Sequence, residues 1–100
     1  MRLTAEQILT IKTIILNNFG SATKLKLFGS RLDDSGRGGD IDLLVETDLP
    51  PEEMFIKKIT TLGQLQRALG DQKIDLLTAS IDTINEPEVV EIARKQGVNL

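Results

Sequence analysis

The central stretch of the chain, residues 24–46, reads KLKLFGSRLDDSGRGGDIDLLVE and has the most informative pattern of strand and loop residues. Its first five residues alternate polar and apolar side chains, which predicts a half-buried strand that stops at Gly29-Ser30. Residues 40–46 predict a second strand. The nine residues between Ser30 and Asp40 include three glycines and few apolar side chains, so they predict a surface loop that joins two neighbouring strands.

The second predicted strand separates its side chains by type. Ile41, Leu43 and Val45 face one side of the sheet, because successive side chains on a strand alternate. Asp40 and Asp42 then point together to the other side, with Cα atoms about 6.6 Å apart.

The rest of the chain predicts three helices and a third strand. Thr4 followed by Gln7 predicts a capped helix over residues 4–18, and residues 73–78 predict a strand. Thr47 or Asp48 before the two prolines predicts the cap of a second helix that ends at Gly70. Its expected core stripe is Phe55, Ile59, Leu62, Leu65 and Leu69. Residues 87–96 predict a last helix that contains Val89, Val90 and Ile92.

This order of elements predicts a single α+β domain over residues 1–100: a small mixed sheet with helices packed on one face. A crossover through the second helix would place the third strand in the same sheet. Asp75 would then come alongside Asp40 and Asp42. The sequence alone does not fix the order of the strands.

Composition narrows the possible chemistry. The 100 residues include no Cys, His, Trp or Tyr, which excludes disulfides and catalysis by thiol, imidazole or phenol groups. The net charge of −3 argues against binding to nucleic acid through its backbone. The apolar runs are too short to cross a bilayer, so we expect a cytoplasmic protein without membrane association.

The remaining candidates for chemistry are carboxylates. Asp40 and Asp42 can reach one Mg²⁺ ion together, and Asp75 would complete a site for two ions or accept a proton from an attacking hydroxyl. An Asp-x-Asp pattern alone is also common on the solvent face of a strand. Glu46 and the lysines beside the strands, Lys24, Lys26 and Lys73, are interpreted as solvated surface charges.

The ordered combination of Gly29-Ser30, Asp40-Ile41-Asp42 and Asp75 resembles the nucleotidyltransferase superfamily of DNA polymerase beta. Residues 26–31 and 39–46 look more closely like the minimal nucleotidyltransferases (MNT proteins), the antitoxin partners of HEPN-domain RNases. The resemblance covers essentially the whole chain.

The resemblance implies a palm-like nucleotidyltransferase fold and a role for each matching residue. Gly29, Ser30 and Arg31 would bind ATP or another nucleoside triphosphate. Asp40, Asp42 and Asp75 would be catalytic and would ligate Mg²⁺, in the form of two ions. The reaction would transfer a nucleoside monophosphate, most simply AMP, to a hydroxyl of a small helical HEPN-type toxin, with which the chain could form an oligomer.

Two alternatives stay open. The family usually has Ala-Arg-Gly after Gly-Ser-Arg, whereas this chain has Leu32-Asp33-Asp34, and Gly39 stands where a serine is common. Two acids near a triphosphate would repel it, although Arg31 or Arg37 could offset them. This departure favours a degenerate binding module that neutralises a partner by occlusion. Transfer to a small molecule, as in aminoglycoside-modifying relatives, ranks last because those proteins carry an additional helical domain.

Overall fold

The computed structural model describes residues 3–29, 40–70, 72–81 and 87–100. In chain order these residues form α1 (Ala5–Phe19), β1 (Lys24–Phe28), β2 (Ile41–Thr47), α2 (Pro51–Leu69), β3 (Ile74–Ser80), α3 (Glu88–Gln96) and β4 (Val98–Asn99). The prediction of a small α+β domain with a mixed sheet is confirmed.

Helix α1 begins as the sequence predicts, one residue later. The Thr4 hydroxyl accepts a hydrogen bond from the backbone N–H of Gln7 at 3.0 Å, and the Gln7 side chain accepts one from the N–H of Thr4 at 3.0 Å. This reciprocal capping satisfies two of the donors that a helix start leaves unpaired. The helix ends at Gly20, whose N–H donates to the carbonyl of Leu16 at 2.9 Å.

The four strands of the described residues lie in the order β3-β2-β1-β4. The strands β1 and β2 pair antiparallel, as the glycine-rich connection predicts, and β2 and β3 pair parallel through the α2 crossover. The edge strand β4, which pairs antiparallel with β1, was not predicted. Its two residues are too few to show an alternating pattern.

Helices cover both faces of the sheet, which corrects the expectation of helices on one face only. The helices α1 and α2 pack on the face that carries Ile41, Leu43 and Val45; this core includes Ile11, Ile15, Phe19, Leu25, Leu27, Leu65, Ile74 and Leu76. The opposite face has a smaller cluster in which Leu44 and Ala79 contact Val90 and Ala93 of α3. Leu44 is fully buried because α3 lies over it.

The predicted core stripe of α2 is confirmed at Leu62, Leu65 and Leu69, which lie in or against the core, and is wrong at Phe55 and Ile59. In α2 the buried side chains are Thr61 and Leu65, whereas Phe55 and Ile59 are 64% and 57% exposed. Met54, at the N-terminal end of α2, packs against the core, so Phe55 and Ile59 lie outside the face of the helix that contacts it. The N-cap position is Pro50, without a side-chain cap, rather than Thr47 or Asp48.

Helix α3 buries only part of its apolar side chains. Val90 and Ala93, three residues apart, face the sheet, while Val89 and Ile92 are 53% and 44% exposed. A small side chain such as Ala93 allows close approach to Leu44, an advantage that apolar periodicity does not reveal. Among the described helices, none has the length and apolar character needed to cross a membrane.

Candidate functional site

Two aspartates stand side by side on the central strands. Asp42 of β2 and Asp75 of β3 are direct partners in the parallel register. Paired residues on neighbouring strands are about 4.8 Å apart and project to the same face of the sheet. Their side chains are joined by a hydrogen bond. The expectation that the crossover brings Asp75 to Asp42 is confirmed.

The environment of Asp42 favours its protonated form. Partial burial raises the pKa of Asp42 to about 6, and the hydrogen bond to Asp75 and the negative charges of Asp75 and Asp40 act in the same direction. The positive charge of Lys73 opposes them. Two carboxylates at this distance repel each other when both are ionised, so they share a proton at pH values below about 6. A cation could take the place of that proton.

Asp40 lies just before β2 and is less closely involved than the sequence predicted. Its side chain is 43% exposed and lies 3.7 Å from the ammonium group of Lys73. Within the described part of the chain, no group of three acidic side chains lies close enough together to hold a metal ion. The assembled unit is therefore the pair of Asp42 and Asp75, with Asp40 as a nearby charge.

Gly29 closes one side of this pair. Its φ is +78°, a conformation that disfavours any side chain. A Cβ placed on Gly29 would collide with the carboxylate of Asp42, whose Cγ would be 3.0 Å away. The glycine therefore allows the backbone turn after β1 to approach the carboxylate closely. Of the other predicted nucleotide contacts, Ser30 and Arg31 lie outside the described residues, as do Asp33, Asp34, Arg37 and Gly39.

A cleft of about 400 Å³ opens in front of the aspartate pair. Its walls include one cation, Lys58 of α2, and the apolar side chains of Phe28, Leu77 and Val89. The cleft thus combines acids, a cation and an apolar wall within the size range of small-ligand sites. Lys58 was not predicted as a site residue, because nothing in the sequence of a helix shows that one of its lysines faces a strand distant in sequence.

A larger cleft of about 610 Å³ lies elsewhere on the molecule, and it includes Glu46 and Lys26. The interpretation of both residues as surface charges is wrong. Glu46 is only 5% exposed and contacts Arg94 at 2.9 Å and Lys26 at 3.7 Å. The C-terminal part of α3 covers this end of the sheet, which no pattern in β2 could indicate. Lys24 and Lys73 are exposed, as predicted.

No protein-family model matches the sequence, and no curated protein is similar enough to count as a relative. The function is therefore inferred from the aspartate pair, its surroundings and the motif resemblance.

Proposed function

We propose that the protein is a Mg²⁺-dependent nucleotidyltransferase that moves a nucleoside monophosphate, most simply AMP, from a nucleoside triphosphate to a hydroxyl. The observation that carries this proposal is the hydrogen-bonded pair of Asp42 and Asp75 beneath the Gly29 turn. In the transfer, the acceptor oxygen forms a bond to the α-phosphorus as the bond to the leaving pyrophosphate breaks. The acceptor proton passes to a base, a role that Asp75 can take.

The aspartate pair suits a magnesium ion. Mg²⁺ is usually held by one or two carboxylates together with substrate phosphates, and Asp42 and Asp75 offer two carboxylates at one place. The ion would neutralise charge on the phosphates during the transfer. Asp40 would contribute to a second ion, and Gly29, Ser30 and Arg31 would position the triphosphate, as the motif resemblance implies.

The acceptor and the biological role rest on the resemblance to minimal nucleotidyltransferases. The acceptor would be a tyrosine hydroxyl of a HEPN-type RNase toxin in the cytoplasm, and its modification would silence the toxin. This chain would then be the antitoxin, with a palm-like nucleotidyltransferase fold.

A second candidate function is neutralisation of a partner by occlusion, without catalysis. It is favoured by three large apolar side chains that α2 exposes to solvent, Phe55, Ile56 and Ile59, at 57–64% of their surface. Exposed apolar groups of this size on one helix are typical of a protein-binding surface.

Calorimetric titration of nucleoside triphosphates into the protein separates these two functions. We expect at least one of ATP, GTP, CTP and UTP to bind with Mg²⁺ present and to lose binding in EDTA or in Asp75→Asn. The matched control is Asp48→Asn, which removes an exposed acid outside the cleft. The enzyme proposal would be contradicted if the nucleotide bound equally well without metal and without Asp75. It would also be contradicted if no nucleotide bound, either to the protein alone or to the protein with a co-purifying partner.

Replacement of Lys58 by alanine is expected to weaken nucleotide binding by about tenfold, since a charge-assisted hydrogen bond to phosphate contributes about 1.5–3 kcal/mol. Lys58 lines the cleft that contains Asp42 and Asp75. Lys57 is its neighbour on α2 and does not line that cleft, so Lys57→Ala removes the same charge as a control. If both variants lost the same nucleotide affinity, the loss would be due to the change in net charge and not to a contact between Lys58 and the nucleotide.

A further inference from the structure

The larger cleft, named here the basic cleft, is separate from the aspartate pair. Four cations line it: Lys12 from α1, Lys24 and Lys26 from β1, and Arg94 from α3. It shares no lining residue with the cleft of Asp42 and Asp75. Along β2, Glu46 lies four residues beyond Asp42, a separation of about 13 Å.

The charge of the basic cleft is opposite to that of the chain. Its lining side chains include four cations and one acid, Glu46, whereas the whole chain has a net charge of −3. Glu46 is already bridged by Lys26 and Arg94. Among the described residues, Lys12 and Lys24 form no ion pair. The cleft therefore holds a positive charge that the described part of the protein does not neutralise.

The floor of the basic cleft is organised by buried contacts. The Lys26 ammonium group donates a hydrogen bond to the backbone carbonyl of Arg94 at 3.0 Å, which links β1 to the end of α3. Together with the contacts to Glu46, this bond holds both cations in place before any ligand binds. The Thr23 hydroxyl also lines the cleft, and within the described residues it is shielded from solvent without a hydrogen-bond partner.

We propose that the basic cleft binds a small phosphate-bearing anion. A volume of about 610 Å³ fits a small molecule. Four cations grouped in one cleft of an acidic chain do not suit the extended contacts of a nucleic acid. A phosphate group carries more than one negative charge and several acceptor oxygens, and these match converging lysines from α1 and β1. The side chains of Leu16 and Leu25 offer an apolar wall for the organic part of the ligand.

Titration of inorganic pyrophosphate into the full chain in EDTA tests this site independently of the proposed nucleotidyl transfer. In EDTA no metal ion can link the aspartate pair to a phosphate, so binding at that pair is not expected. Binding is followed by calorimetry and by backbone amide shifts in NMR spectra. We expect the shifts to concentrate at residues 21–26, and we expect the double variant Lys12→Gln with Lys24→Gln to bind at least about tenfold more weakly.

The matched control is Lys57→Gln with Lys95→Gln, which removes two positive charges outside the basic cleft and should bind as the unaltered protein does. Equal weakening in the two double variants would overturn the proposal, as would shifts centred on Asp42 and Asp75 or no binding to the unaltered protein. A parallel titration with citrate separates phosphate from carboxylate ligands. Citrate binding as tight as pyrophosphate would overturn the phosphate assignment.

Discussion

Replacement of Gly29 by alanine is expected to abolish metal-dependent nucleotide binding and to lower the free energy of unfolding by about 3 kcal/mol. Two costs combine. A side chain at φ +78° costs about 1–2 kcal/mol, and forcing a methyl group into a filled space costs about 1–3 kcal/mol. The added Cβ would meet the carboxylate of Asp42, so that carboxylate must move away from Asp75.

Gly70 provides an unusually close control for this variant. It has the same φ of +78°, but a Cβ at Gly70 would meet no atom within 4 Å. Gly70→Ala should therefore show only the conformational cost of a side chain at φ +78° and ψ −144°, about 1–3 kcal/mol, and leave nucleotide binding unchanged. Urea denaturation and nucleotide titration of both variants measure the difference. If the two variants lose equal stability and Gly29→Ala still binds nucleotide, Gly29 has no special relation to Asp42.

Much of the sheet was predictable because its signals are local. Alternation in residues 24–28 and 40–46 predicts β1 and β2, and the glycine-rich segment between them predicts their antiparallel pairing. The length of α2 permits a crossover, and the crossover predicts that Asp75 joins Asp42 in the sheet. Each of these inferences depends on residues that are close in sequence or on a strong topological rule.

The parts that could not be predicted depend on contacts between distant elements. Nothing in β2 distinguishes Glu46 from an exposed acid, since its burial depends on Arg94 of α3. Phe55 is exposed although its neighbour Met54 packs against the core, because the face that α2 turns to the core is set by its tertiary contacts. Two features of the candidate site also depend on tertiary structure: the close approach of Gly29 to Asp42, and the presence of Lys58 in the cleft. Sequence therefore predicted the acids of the site better than their surroundings.

Asp42→Asn is expected to abolish metal-dependent nucleotide binding and yet to make the folded protein more stable at pH 7. Metal-dependent nucleotide binding should be lost, because the variant removes one of the two carboxylates available to Mg²⁺. At pH 7 the folded protein should nevertheless become more stable, because the ionised Asp42 is repelled by Asp75 and Asp40. An asparagine has no charge to repel and can donate a hydrogen bond to Asp75.

The stability gained by Asp42→Asn should depend on pH. The pKa of Asp42 rises from 3.8 to about 6 on folding, so the folded state holds the proton more tightly than the unfolded state. Its contribution to stability is therefore fully present below pH 3.8, falls as the pH rises towards 6, and is lost above that value. Asparagine does not titrate, so its advantage over aspartate should be largest above pH 6 and should vanish near pH 4.

Thermal or urea unfolding of both proteins between pH 4 and pH 8 measures this dependence, with Asp48→Asn as a control for net charge. Mg²⁺ provides a second readout in the unaltered protein. Because the ion competes with the proton for Asp42, Mg²⁺ should stabilise the fold more at pH 7 than at pH 5, and Asp42→Asn should remove that difference. A variant that is less stable than the unaltered protein at pH 7, or a stabilisation by Mg²⁺ that is the same at both pH values, would mean that the two aspartates do not share a proton and do not form a cation site.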